Sequence, residues 1–177
     1  MTAVIYFSRA GENLIEGVSQ NIIRGNTEVL AKKIAKKLSI PTFAIEPTLP
    51  YPIAYSETVA RVKKEKEQQS RPEIKPISLD FQEEKTIFLG FPNWWGTFPM
   101  PVASFLTSGL LDGKVIYPFC THEGSAFGSS LEDLAKSCPT AEVKTGLSVR
   151  GSRVSKSDAA IKNWLQQYYC EKNKRRE

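Results

Sequence analysis

The chain has 177 residues, 41% hydrophobic and 24% charged, which suits one globular domain able to bury most of what its unfolded form exposes. It excludes a disordered or fibrous chain, and no apolar run approaches the roughly 20 residues needed to span a bilayer. The net charge of +5 is mild and partly terminal, in EKNKRRE; elsewhere bases alternate with acids, as in VKKEKEQQ, which is a solvated helix face and not a nucleic-acid footprint.

Ala3–Phe7 is a short apolar run that reads as a first, buried strand ending at Ser8-Arg9-Ala10-Gly11. A long excursion, Glu12–Arg24, separates it from the first helix. Asn26 or Thr27 caps that helix, Glu28 favours its first turn, and Leu30, Ile34 and Leu38 recur every fourth residue. Lys32, Lys33, Lys36 and Lys37 form its exposed face, and Pro41 stops it before a second strand, Thr42–Ile45. Pro47–Tyr55 is an irregular proline-rich connection, Ser56–Gln69 is helical, and Arg71–Pro76 is again open. Thr86–Leu89 is the third and central strand.

A hard break follows in PNWWGTFPMP. Neighbouring residues on an extended chain point to opposite sides, so Trp94 and Trp95 cannot both enter one core. At least one is displayed at the mouth of the fold, where its flat surface can stack on another ring, unless the pair simply plugs the end of the sheet. Pro101 suits the first turn of a helix through Val102–Leu106. Asp112-Gly113 is a turn, Val115–Cys120 a fourth strand, and Thr121–Gly128 a polar, glycine-rich loop leading into a helical Ser129–Lys136. Glu142–Val149 is a fifth strand, and Ser157 or Asp158 caps a last helix built on Ile161, Trp164, Leu165 and Tyr168.

Continuously apolar strands alternating with amphipathic helices mean a parallel sheet covered on both faces, a doubly wound α/β fold of five strands. In that architecture ligands bind outside the carboxyl ends of the strands, where Ser8–Thr27, Pro92–Pro99 and Thr121–Gly128 converge. The first loop offers hydroxyls and the free amides of a helix start, which can cradle a phosphate. The second offers indole surface, and Gly124 and Gly128 of the third let backbone approach a ring closely. Neither GxGxxG nor GxxxxGK[ST] occurs, so a dinucleotide fingerprint and a P-loop are excluded. One phosphate cradle and a ring slot between two loops describe a mononucleotide with an aromatic head.

With a YFSR…GNT loop, PNWWGTFPMP and PFCTHEGSAFGSS, each after a strand, the whole chain resembles the flavodoxin family of FMN proteins. The resemblance implies a five-stranded parallel sheet in the order 2-1-3-4-5, a single domain over residues 1–170 and a basic tail over 171–177. It implies FMN as cofactor, with Ser8, Arg9, Ala10, Asn26 and Thr27 at the phosphate. Pro92, Asn93, Trp94, Trp95 and Gly96 would pack on the isoalloxazine and meet its reactive nitrogen, where glycine lets the Trp95–Gly96 peptide turn. Thr121, His122, Glu123, Gly124 and Gly128 would lie over the other edge of the ring. His122, the only histidine, is then a candidate for acting on protons or charge beside the flavin.

Two features depart from the family pattern. The Glu12–Arg24 insertion splits the phosphate loop, and the chain is basic where familiar flavodoxin carriers are acidic. Three cysteines without CxxC spacing fit reduced thiols and offer no metal site, and MTAVIYF carries no secretory signal, so a cytoplasmic location is expected. The expected function is electron carriage through non-covalent FMN, to a redox partner protein or a small-molecule acceptor, by a monomer or homodimer. The alternative is an NAD(P)H-dependent FMN reductase acting on quinones or nitro compounds.

Overall fold

Side chains alternate between the two faces of an extended strand, and in β1 (Thr2–Tyr6) both faces are apolar: Ala3 and Ile5 enter one core, Val4 and Tyr6 the other. A strand of that kind must be covered twice. The computed structural model, which describes residues 2–174, does so with a parallel sheet. After β1 come a hairpin, β2 (Gly11–Ile15) and β3 (Val18–Ile22), then helix α1 (Asn26–Leu38) and β4 (Thr42–Ala44). There follow α2 (Tyr55–Glu67), β5 (Thr86–Pro92), α3 (Met100–Leu106), β6 (Val115–His122) and α4 (Ser130–Ser137). The chain ends in β7 (Glu142–Val143), β8 (Leu147–Arg150), a 3-10 turn over Gly151–Lys156, α5 (Asp158–Trp164) and α6 (Gln166–Lys174). The main sheet runs β4-β1-β5-β6, with β7 and β8 both on the outer edge of β6 and every pairing parallel. Counting parallel strands along the chain, this is the order 2-1-3-4-5 of a flavodoxin-like fold.

One face packs Ile5, Phe7, Leu89 and Phe91 against α3 and α4 through Val102, Phe105 and Leu134. The other packs Val4, Phe88, Tyr117 and Phe119 against Leu30 and Ile34 of α1 and Ile161, Trp164 and Tyr168 of α5 and α6. Burying a large side chain of this type stabilises by about 1.5–3 kcal/mol, so this inventory dominates the energetics.

The structure departs from the sequence expectations at five places. Glu12–Arg24 is mostly an ordered β-hairpin, with Glu16 and Gly17 at its tip in positive φ (53° and 79°), as a tight primed turn requires. The cap of α1 is neither Asn26 nor Thr27: Gly25 holds that position without a side-chain bond, and Ser8 Oγ accepts the Glu28 N–H (3.0 Å) from twenty residues upstream. The third and fourth strands run on to Pro92 and His122, so Thr121 and His122 project from a strand end. The fifth strand is broken at residues 144–146, where the Thr145 carbonyl accepts from Trp164 Nε1 (2.7 Å) and Gln167 Nε2 (2.9 Å) in place of a sheet neighbour. The last helix breaks at Leu165, and Glu171–Lys174 of the expected tail complete α6; Arg175–Glu177 lie outside the described residues. Among the described residues no helix is long and apolar enough to cross a membrane.

Candidate functional site

The carboxyl ends of β1, β5 and β6 lie side by side, so the chain segments leaving them must share one edge of the sheet. Between them is a cleft of about 170 Å³ whose walls include Ser8 and Arg9, Asn26 and Thr27, Pro92, Asn93 and Trp94, and Thr121, His122 and Glu123. Three segments far apart in sequence are thus brought to one place. A wider open groove of about 740 Å³ lies at the opposite edge beside Thr2 and Thr86, and in it the Tyr117 hydroxyl donates to Glu171 Oε2 (2.8 Å).

At one end of the cleft stands the start of α1. The first amides of a helix have no intrahelical acceptor and carry the positive end of its dipole. Beside them Thr27 and Thr121, 1% and 3% exposed, join their hydroxyls at 2.6 Å and bolt α1 to β6. Ser8 is turned to the Glu28 amide. Arg9 lines the cleft, but its guanidinium donates to the carbonyls of Glu12, Pro52, Ile53 and Ala54. Ala10 faces a neighbouring recess beside Phe7, Pro50 and Tyr51.

The tryptophan pair divides, although through a turn at Trp95–Gly96 and not through the alternation of an extended chain. Trp94 lines the cleft, its indole held edge-to-face by Phe7 (centroids 5.3 Å, 84°) and Tyr51 (5.2 Å, 83°). Tyr51 is itself fixed, since its hydroxyl donates to Glu65 and Arg61 sits 4.1 Å over its ring. Trp95 is 53% exposed and lies outside the cleft. It holds φ +54° and Gly96 holds +84°, while Trp94 and Thr97 exchange backbone bonds across them. The Trp95–Gly96 peptide is tied at both ends: Lys66 donates to the Trp95 carbonyl, and the Gly96 N–H donates to Asn93 Oδ1 (2.9 Å).

Asn93 also donates from its backbone to Thr121 and from Nδ2 to the Ala126 carbonyl (2.7 Å), locking the second loop to the third. Gly128 serves the same lock, because a Cβ there would stand 2.2 Å from the Gly96 carbonyl oxygen, which accepts from the Ser129 N–H. Gly96 and Gly128 therefore shape the loop junction, and neither they nor Gly124 line the cleft.

His122 projects into the cleft with a buried Nδ1 that has no hydrogen-bond partner. Burial, then the nearby Arg150 charge, hold its pKa below the usual value against an opposing pull from Glu123, so the ring is neutral at pH 7. Cys120 behind it is fully buried, and burial pushes its thiol up to about 12, which leaves it protonated and inert. No group of His, Cys, Asp or Glu among the described residues is placed to hold a metal ion.

Four cleft residues escaped the sequence reading: Asn13, Leu14, Tyr55 and Gly151. For the first two the one local hint was a two-residue Glu-Gly spacer between Gly11–Ile15 and Val18–Ile22, weaker than the Asn-Gly or Asp-Gly of a strong hairpin turn. Gly151 follows a strand end, where a Cβ would meet Glu123 Oε1 at 2.3 Å and Asn26 Nδ2 at 2.4 Å.

The Flavodoxin family model matches residues 16–168. Among solved structures, a protein assigned as a flavoprotein from Bacteroides eggerthii DSM 20697 is 26% identical, with 93% of this chain and 95% of that one aligned and a TM-score of 0.72. Its counterpart from Bacteroides uniformis ATCC 8492 is 25% identical over 93% and 97% of the two chains, with a TM-score of 0.74. A flavoprotein from Lactobacillus acidophilus NCFM, solved in complex with FMN, shares the fold at 19% identity, over 88% and 96%, with a TM-score of 0.65. No curated protein matches the chain.

Proposed function

The chain belongs to the flavodoxin family, and from that premise we propose that it binds FMN non-covalently in the cleft and serves as an electron carrier. The observation that carries the reading is the meeting, in one cleft, of the α1 amino end, the Trp94 face and the unpartnered His122 Nδ1. These groups fit the parts of FMN. A phosphate dianion suits the amides of Asn26 and Thr27, whose dipole favours it by about 0.3–1 kcal/mol without a lysine. An isoalloxazine suits Trp94, whose orientation Phe7 and Tyr51 preset, so little freedom is lost on stacking. His122, which lines the cleft and is neutral at pH 7, would set its imidazole beside the ring edge.

Bound FMN would supply the redox chemistry, taking up and releasing electrons. The chain's own part is to anchor, orient and screen: Thr27 and Thr121 hold the phosphate end rigid, Asn93 fixes the two ring loops to each other, and the buried sheet keeps water from the inner wall. The test is reconstitution. Purified protein incubated with FMN should turn yellow and release FMN on heating, while FAD should not be retained. Anaerobic NADPH alone should leave the colour, and dithionite should bleach it. Failure to take up FMN refutes the reading; bleaching by NADPH replaces the carrier with an NAD(P)H-dependent reductase.

A further inference from the structure

The β2–β3 hairpin contributes no residue to either hydrophobic core among the described residues. β3 is exposed along nearly its whole length, and Leu14, Val18 and Ile23 are 37%, 59% and 96% exposed. A two-stranded hairpin has little stability of its own in water. This one is tied to the rest of the fold at its base and at its tip. At its base, Arg9 donates to the carbonyls of Glu12, Pro52 and Ile53, and the Tyr55 N–H donates to the Glu12 carboxylate (2.9 Å). At its tip, 107 residues away in sequence, the Glu16 N–H donates to Glu123 Oε2 (3.0 Å). Between those points Asn13 and Leu14 form part of the cleft wall.

The cleft under this span holds about 170 Å³, whereas pockets for cofactor-sized ligands run to about 300–1,000 Å³. The walls built on α1, β5 and β6 are locked to each other through Thr27–Thr121 and Asn93, which leaves the hairpin as a wall that can yield. We propose that the β2–β3 hairpin is a fourth, movable wall of the flavin site: it swings about the Arg9-pinned base, releases the Glu16–Glu123 contact to admit FMN, and closes Leu14 and Asn13 over it. This rests on the FMN reading and adds to it a specificity element. Leu14 supplies the apolar cover on the solvent side of the ligand, so the same hairpin slows FMN escape and screens the site from a second planar ligand such as a nicotinamide. In this role Arg9 is a positioning residue for the hairpin.

The decisive experiment compares the full chain with a shortened hairpin in which Asn13–Gln20 is replaced by an Asn-Gly turn between Glu12 and Asn21. That change keeps the Gly11–Ile22 and Glu12–Asn21 pairs and the Arg9 acceptors. Flavin fluorescence gives association and dissociation rates of added FMN. We expect both rates to rise, dissociation at least tenfold, and Leu14→Ser to raise dissociation several-fold. Hydrogen exchange on the full chain should show hairpin amides gaining protection when FMN is added. Rates within twofold of the full chain, or no change in hairpin protection, overturn the proposal while leaving FMN binding intact. If the shortened chain fails to fold by circular dichroism, Leu14→Ser and the exchange data decide. A full chain that takes up no FMN defeats the site reading itself, and the hairpin's role with it.

Discussion

Replacing Thr27 by Val removes one partner of the buried hydroxyl pair that joins α1 to β6. The Thr121 hydroxyl, 3% exposed and 2.6 Å from its partner, is then left in a place water does not reach. Stranding a buried polar group costs about 1–3 kcal/mol, whereas replacing both partners by apolar groups of the same shape is close to neutral. At about 2.1 cal/mol/K per residue, 177 residues give an unfolding entropy of roughly 0.37 kcal/mol/K, so each single substitution should lower Tm by about 3–8 °C. Thr27→Val combined with Thr121→Val should recover most of that, so the coupling energy should approach the sum of the two single losses, about 2 kcal/mol or more. The assay is thermal unfolding followed by circular dichroism without added flavin, at one pH, on the four members of the cycle. Two single losses that simply add in the double variant would refute the reasoning, since they would mean that each hydroxyl finds its own partner. The recovered double variant should still bind FMN more weakly, because its stability is restored and its cleft hydroxyls are not.

Trp94→Ala should weaken FMN binding tenfold or more, since an aromatic stack is worth about 1–3 kcal/mol. Trp95→Ala, at a half-exposed turn position, should leave both affinity and Tm nearly unchanged; equal effects from the two would remove Trp94 from the site. His122 gives a pH signature. Its folded pKa lies below the unfolded value of about 6.5, so the unfolded chain binds the extra proton and stability falls as pH drops through that value. Tm measured from about pH 7.5 down to 5 should fall more steeply for the native chain than for His122→Gln; parallel curves would show that the imidazole does not titrate differently on folding.

The sheet was legible because its signals are local. Apolar runs such as Ile87–Leu89, the four-residue spacing of Leu30 and Ile34, and Pro101 at a helix start each state their structure within a few residues. The two indoles separate, as expected, but by a turn at Trp95–Gly96 and not by the divergence of neighbours on an extended chain. Which of them would face the cleft was not foretold, because Phe7 and Tyr51 decide that from elsewhere in the chain. The α1 cap was missed for the same reason: its acceptor is Ser8, across the whole hairpin. The hairpin itself lacks an apolar face, as β3 reads VSQNI and is solvated on both sides, so no period-2 signal marks it. The resemblance put Arg9 in the phosphate loop, and nothing near it in sequence reveals that its guanidinium meets the carbonyls of Pro52–Ala54.

The bonds that Arg9 makes to those carbonyls also bear on the order in which the molecule assembles. They close the chain over 43 to 45 residues, and the Glu16–Glu123 contact closes it over 107. Each closure must absorb the entropy of the intervening chain before it returns any favourable energy, and neither is backed by buried apolar area of the kind that holds β1, β5 and β6 together. The rim of the cleft therefore sets after the sheet and loosens before it. During synthesis the Arg9 bonds can form once Ala54 has emerged, whereas the tip contact must wait for Glu123, the residue that follows the end of β6.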